Sequence, residues 1–416
     1  MSGIDGIPET AATMPDEAAV EPGSPGRGAR MLREITTGNA LISLLAVVVA
    51  LILGGVLIGA ADPHVQNAAG YLFARPRDFF SALGGAIGSA YSALFQGAVY
   101  DFDAQTFARA IRPLTETMTM SVPLIFAGLG LAIGFRAGLF NIGAQGQIIL
   151  GAIFGGYIGF AWHLPIGLHL LLALIGAMLG GAIWASIAGV LKARTGAHEV
   201  IVTIMLNNIA LYLVAYLLSL KAFQRPGSVN PISPFIDKNA ELPLLLGSGF
   251  RLHAGFLLAL VAAVGVWWLM SRSTLGFTFR AVGANPHAAR TAGMSVERTY
   301  IWVMGIAGAL AGLGGAAQVL GTERVLTGGV AASFGFDAIT VALLGRSKPL
   351  GTVLAGLLFG ALRAGGFAMQ ARTGTPIDVV LVVQSLIVLL IAAPPLVRSI
   401  FRLPEPGRVT LTGAQA

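Results

Sequence analysis

The sequence predicts an all-α integral membrane protein with about ten transmembrane helices. Three observations carry that prediction. Of 416 residues, 55% are hydrophobic and only 11% are charged, and the mean hydropathy is +0.79. A soluble domain carries roughly 25% charged residues and has a surface that needs them. Glycine is abundant, at 56 residues, as suits membrane helices whose backbones approach closely.

Residues 1–33 are polar and rich in Pro, Gly and acidic side chains, the composition of a disordered tail. Arg27, Arg30 and Arg33 then precede the apolar run 40–60. That run is longer than a signal-peptide core and its charges stand far from the amino terminus, so it reads as the first transmembrane helix. Further membrane-length runs fall at 115–135, 143–161, 168–191, 199–219, 253–270, 300–319, 325–345, 350–369 and 377–396, each long enough to span. With a cytoplasmic amino terminus and strict alternation, fifteen Lys and Arg fall on the cytoplasmic side and ten on the far side. Eight of the ten are spread over the longer loops 62–114 and 220–252, the other two being Arg324 and Arg372, and Arg363 lies inside a span. The short loops are thus positive inside. Both termini, the tail 404–416 and the loop 271–299 then face the cytoplasm, flanking or joining a membrane domain over 34–403.

Small residues recur four apart at Gly151, Gly155 and Gly159, at Gly176 and Gly180, at Gly308 and Gly312, and at Gly356 and Gly360. Such faces let helices pack closely within one bundle.

Several chemistries are absent. There is no cysteine, hence no disulfide, thiolate metal site or thiol catalysis. None of Lys192, Lys221, Lys238 and Lys348 precedes Ser or Thr, so no Walker A phosphate loop can be written. Neither HExxH nor GxSxG occurs, which removes the commonest metalloprotease and hydrolase signatures. The net charge of +7 is dispersed singly at the ends of apolar runs, unlike a nucleic-acid-binding patch. A transporter that does not itself hydrolyse ATP is the reading left. An ion-driven carrier would use intramembrane ionisable groups, with Glu116, Asp337, Arg363 and Asp378 as candidates. A permease driven by a separate ATPase would need a rigid cytoplasmic element to receive force.

The stretch RAVGANPHAARTAG, 280–293, supplies such an element. Asn285 is a favoured N-cap, Pro286 suits the first helical position and Gly293 can close the C-terminus. Two turns of helix are too short to be stable alone and need a surface to lie on. Ala288, Ala289 and Ala292 offer a small face to press against another protein. His287 and Arg290 can reach a polar rim, while Gly283 and Gly293 set the turns on either side.

Four stretches carry a resemblance to a known family: FRAGLFNIGAQGQIILGA at 135–152, HEVIVTIMLNNIA at 198–210, FRAVGANPHAARTAGMS at 279–295 and GFDAITVALLGRSKPLG at 335–351. The chain resembles a permease subunit of the ATP-binding-cassette importers of the branched-chain amino-acid and simple-sugar superfamily, specifically its nucleoside-type branch. The resemblance covers roughly 110–395. It departs from the family at Gln145, where Glu is usual, at Asn208, where an aromatic is common, and at Ser347, where Asn is frequent.

The resemblance implies a type II importer bundle of about ten helices in which helices 2–5 and 7–10 are inverted copies. Two permease subunits, a second copy or a related chain, would rest on a cytoplasmic ATPase with two nucleotide-binding units. An extracytoplasmic binding lipoprotein would deliver the ligand. This chain would bind no cofactor; ATP would be used by the partner ATPase. The 280–293 helix corresponds to the coupling helix, with Gly283, Asn285, Pro286, Ala288, Ala289, Arg290 and Gly293 as coupling residues.

Glycine interrupts span 3 beside Asn141 and span 8 beside Asp337, so broken helices are expected near the pathway. A nucleoside presents base edges and hydroxyls that amides can pair. Asn141, Gln145, Asn207, Asn208, Gln318 and Asp337 are therefore the candidate path residues, in a bacterial plasma membrane. For the amides, tying helices together is the competing role. A simple-sugar (ribose-like) importer permease and, behind it, an ion-driven carrier remain the alternative functions.

Overall fold

Two ends of a helical bundle are distinguished by what closes them: a pair of short helices at one, long irregular loops at the other. The computed structural model describes residues 39–402; the tails expected at 1–33 and 404–416 lie outside the described residues. In chain order the helices are α1 (Asn39–Ala61), α2 (Pro63–Ala69), α3 (Pro76–Ala98), α4 (Phe107–Arg136), α5 (Ala144–Ala161), α6 (Leu168–Thr195), α7 (Glu199–Ser219) and α8 (Gly255–Arg272). After them come α9 (Thr274–Ala284), α10 (Pro286–Thr291), α11 (Val296–Ala317), α12 (Phe334–Leu344), α13 (Pro349–Thr373), α14 (Asp378–Ala392) and α15 (Pro394–Ile400). A π-helical turn, Gln318–Thr322, extends α11.

Eight of these helices are long and apolar enough to cross a membrane: α1, α4, α5, α6, α7, α8, α11 and α13. They correspond to eight of the ten expected spans. The other two differ from expectation. In place of a helix over 325–345, an irregular segment runs to Ser333 and α12 covers only 11 residues. The run 377–396 is a 15-residue helix, α14, because Pro394 and Pro395 start the separate helix α15, as proline does when it cannot continue a ladder. Helices α2 and α3 were missed inside the expected loop 62–114. Asp62 caps α2 by accepting from the His64 and Val65 amides (2.8 and 3.2 Å). The sequence of α3 interleaves Gly, Ser, Arg and Asp with its apolar residues and does not read as a span.

Both ends of α3 lie at the loop-rich end. A Cβ on Gly59 or Gly55 of α1 would meet Leu83 and Ile87, and one on Gly97 would meet Ala368 of α13. Arg372, at the end of α13, binds Gln96 and Asp101. The last residues of α1 and α13 line one small cavity, so α3 enters and leaves at one end and does not alter the alternation of the spans.

The core forms where glycine removes the side chains between helices. A Cβ at Gly312 of α11 would stand 2.2 Å from the Ala177 carbonyl oxygen of α6, and one at Gly181 would stand 2.1 Å from the Gly308 oxygen. Gly151 of α5 faces the Gly312 backbone, Gly356 meets Ile125, and Gly360 meets Thr117 and Ser121 of α4. The spaced glycines therefore pack within one chain. Buried fractions rank the layers: 83% for the most apolar stretch of α4 and 78% for that of α11, against 33% for α1 and 28% for α7. Helices α4 and α11 are central; α1 and α7 present large apolar areas outward.

Two predictions follow from this packing. Gly312→Leu should cost more than about 3 kcal/mol, because a rigid backbone stands where the side chain must go; size-exclusion profiles in detergent should lose the monodisperse peak. Gly328→Ala, which meets nothing within 4 Å, should leave the profile unchanged.

His253, in the loop before α8, is fully buried. It faces the Thr322 hydroxyl through Nε2 (3.2 Å) and accepts from the Gly255 amide at Nδ1 (3.2 Å). Burial first, then the Arg251 and Arg324 guanidiniums, push its imidazole down to about 4. The unfolded chain then binds the extra proton first, so stability is full above an ordinary histidine pKa and falls as pH drops from about 6.5 towards 4. Thermal unfolding in detergent should show that loss, and His253→Gln should flatten it.

Candidate functional site

Within a bilayer, a chain that leaves helical geometry exposes amides that water does not reach, and each needs a partner. The bundle breaks in two places, and the candidate residues gather at both.

The first break joins α4 to α5. Gly138 takes a left-handed φ of +72°, and beyond it the amides of Phe140, Ile142 and Gly143 bond side chains rather than backbone. Helix α7 supplies the partners from three side chains four residues apart, which stack on one helix face. Glu199 Oε1 accepts from the Phe140 amide (3.3 Å), Thr203 Oγ1 from Ile142 (3.3 Å) and Asn207 Oδ1 from Gly146 (2.8 Å). Asn207 Nδ2 also donates to the Ile142 carbonyl (2.9 Å). Lys192 of α6 neutralises Glu199 at 2.5 Å and stands 5.5 Å from the Tyr300 ring centroid. Asn141 is fully buried, accepts from the Gly143 amide (2.7 Å) and pairs with Gln147 (3.2 Å). Asn141 and Asn207 thus hold the break in shape. Asn208 points the other way, onto the exposed face of α7, and its amide donates to its own Ile204 carbonyl (3.1 Å).

The second break joins the end of α11 to α12. The chain turns at Arg324 (φ 57°) and Ala332 (φ 39°). Gln145, in the first turn of α5, clamps it: Oε1 accepts from the Gly335 amide (2.9 Å) and Nε2 donates to the Ala332 carbonyl (2.6 Å). A carboxylate at this position could do only the first, so glutamine suits both ends of the clamp. No side chain fits at Gly335, whose Cβ would lie 2.2 Å from the Gln145 backbone nitrogen. The two helix starts therefore meet backbone to backbone. Beside them Asp337 accepts from Ser333 (2.9 Å) and from Arg363 of α13 (3.1 Å). Arg363 also lies 4.2 Å from the Phe334 ring centroid. Both charged side chains are mostly buried, 19% and 17% exposed, and such a pair survives in the membrane because each partner compensates the other. Gln145 and Asp337 stay partly open, next to exposed Ala332 and Phe336.

Gln318 begins the π-helical turn, is 4% exposed, and its Oε1 has no hydrogen-bond partner. Among the other ionisable candidates, Glu116 pairs with Arg251 (3.3 Å) and Asp378 opens α14. Sequence reading missed Glu199, Thr203, Lys192 and Ser333. The spacing of 199, 203 and 207 held the signal, but only the position of the break says what those three side chains face.

At the other end of the first break, Gly283 of α9 lies against α4; a Cβ there would stand 2.2 Å from the Arg136 carbonyl oxygen. Gly283 is thus a docking contact rather than the turn residue expected. Asn285 caps α10 by accepting from the His287 and Ala288 amides (3.0 and 3.1 Å), and Gly293 has φ +83°, both as expected. Ala289 differs from expectation. It is 4% exposed and packs with Val282 and Val296 of this chain, so it cannot press on another protein. The outward surface of α10 is Pro286, His287, Ala288, Arg290 and Thr291, continued by Ala292, with Arg290 bound to Glu297.

Residues 114–392 match the family described as "Branched-chain amino acid transport system / permease component". The chain is 40% identical to the guanosine ABC transporter permease protein NupP of Bacillus subtilis, covering 76% of this chain and 88% of that one. It is 36% identical to the glucose ABC transporter permease protein TsgB13 of Haloferax volcanii, over 66% and 75% of the two chains. It is 35% identical to the nucleoside ABC transporter permease protein NupB of Lactococcus lactis, over 68% and 79%. No solved structure matches the chain. With its membrane-length helices and two internally satisfied breaks, the chain belongs to the family of branched-chain amino acid transport system permease components, multi-pass membrane subunits of ABC transporters rather than enzymes.

Proposed function

We propose that this chain is the permease subunit of an ATP-driven nucleoside importer, in the bacterial plasma membrane with both termini and the α9–α10 loop in the cytoplasm. The observation that carries the reading is the continuous set of contacts from that loop to the second break. Gly283 touches the end of α4, the segment 137–143 leads into α5, and Gln145 at the start of α5 holds Ala332 and Gly335. A shift of α10 in a groove of a cytoplasmic ATPase would move the first break and, through Gln145, the second. ATP is used by that ATPase. An extracytoplasmic binding lipoprotein delivers the ligand, and a second permease subunit, a copy or a related chain, faces the open side of Gln145, Asn208 and Asp337. Asn141 and Asn207 shape the path by fixing the break beside it.

The nucleoside assignment rests on the guanosine and nucleoside permeases among the relatives. The glucose permease at 36% identity favours a simple-sugar substrate as the second reading. Competition of unlabelled nucleosides and of ribose or glucose against labelled guanosine uptake, in a strain depending on this transporter, separates the two.

Two substitutions test the mechanism. Ala288→Asp places a carboxylate on the outward face of α10 without disturbing the packing of Ala289. It should leave membrane levels normal while the ATPase no longer co-purifies and uptake is lost, because a buried unpaired carboxylate costs a few kcal/mol. Retention of both ATPase and uptake would falsify the assignment of α10 as the docking element. Gln145→Leu frees two backbone groups at the second break, a loss of roughly 2 kcal/mol or more. Uptake should fall at least about tenfold while the ATPase still co-purifies; unchanged uptake would remove the clamp from the mechanism.

A further inference from the structure

A cavity of about 550 Å³ opens at the loop-rich end, where α3 finishes, α4 begins and α13 finishes. Arg109, Arg112, Arg251 and Arg372 stand around it with Asp101 and Glu116, over a floor that includes Met120 and Phe367. Two of the guanidiniums are matched, Arg372 by Asp101 (2.8 Å) and Arg251 by Glu116 (3.3 Å). Arg109 and Arg112 are exposed and form no salt bridge among the described residues. The site thus holds two uncompensated positive charges above an apolar base.

We propose that this cavity binds an anionic phospholipid of the far-side leaflet, with its phosphate between Arg109 and Arg112 and an acyl chain over the apolar floor at Met120 and Phe367. Arginine forks hold phosphate oxygens in two parallel hydrogen bonds, and basic groups at the membrane surface attract anionic lipid. The apolar floor selects an amphiphile over a hydrated ion, which would leave it wet. The site depends on the membrane placement of the chain and not on which solute it transports.

The test uses the full chain purified in mild detergent, with phosphatidylglycerol, phosphatidylcholine or inorganic phosphate as the probe. Native mass spectrometry and thermal unfolding should show retained phosphatidylglycerol and stabilisation by it, and much less of either with phosphatidylcholine. The doubly substituted Arg109→Gln, Arg112→Gln chain should retain phosphatidylglycerol roughly tenfold less or weaker still. Both side chains are exposed, so its size-exclusion profile should match the wild type; if the double variant does not fold, Arg112→Gln alone should show a smaller loss in the same direction. Equal retention of the two lipids, undiminished phosphatidylglycerol in the variants, or the same stabilisation by inorganic phosphate alone overturns the proposal. So does a double variant that loses an acidic binding-protein partner while keeping its lipid.

Discussion

Every break in a membrane helix must find partners for the amides it exposes, and the architecture of this protein follows from how that demand is met twice. Helix α7 meets it at the first break with Glu199, Thr203 and Asn207, three polar side chains on one face of an otherwise apolar span. Were they replaced by apolar residues, the segment 137–143 would have to become helix or draw in water. Glu199 is itself a charge near the membrane, and Lys192 removes that cost by pairing with it. The second break has no comparable ladder. It depends on Gln145 and on the Ser333, Asp337 and Arg363 cluster, so its shape is tied to the position of α5.

Glycine makes that dependence mechanical. At Gly283, Gly138 and Gly335 the missing side chains let backbone lie on backbone, and such contacts transmit displacement with little slack, because nothing between them can change rotamer. The glycines of α6 and α11 act differently. They lock two central spans together over their length, giving a rigid body against which the two breaks can shift. A coupling element at one end and a polar centre inside the bundle are thereby joined by stiff parts and short hydrogen bonds.

The polar residues divide by what they touch. Asn141 and Asn207 spend their amides on the chain itself, which makes them supports. Gln145 and Asp337 remain partly open beside exposed Ala332 and Phe336, while Asn208 sits on the outward face of a span that is mostly exposed. These three open residues are the ones placed to meet a solute or a second subunit. Gln318 is buried with an unpaired carbonyl oxygen at a π-helical turn. Wide turns of that kind often accompany functional sites, and its free acceptor sets it apart from the other amides.

Composition and hydropathy alone determined that the chain is a helical membrane protein, because apolar runs of that length have no other stable place. Local chemistry was equally legible at α10, where Asn285, Pro286 and Gly293 act within a few residues of one another. The four quoted stretches carried the family. What the tertiary structure alone decided was orientation and distance. It turned Ala289 inward and Ala288 outward, made Gly283 a contact with α4 rather than a turn, and divided the expected eighth span into an irregular segment and a short helix. It also revealed α3, whose mixed composition hides a helix stabilised by packing on α13. The reason is common to all of these: a residue's neighbours in the chain set its local geometry, but which face is covered depends on partners dozens to hundreds of residues away, as Gln145 and Gly335 are.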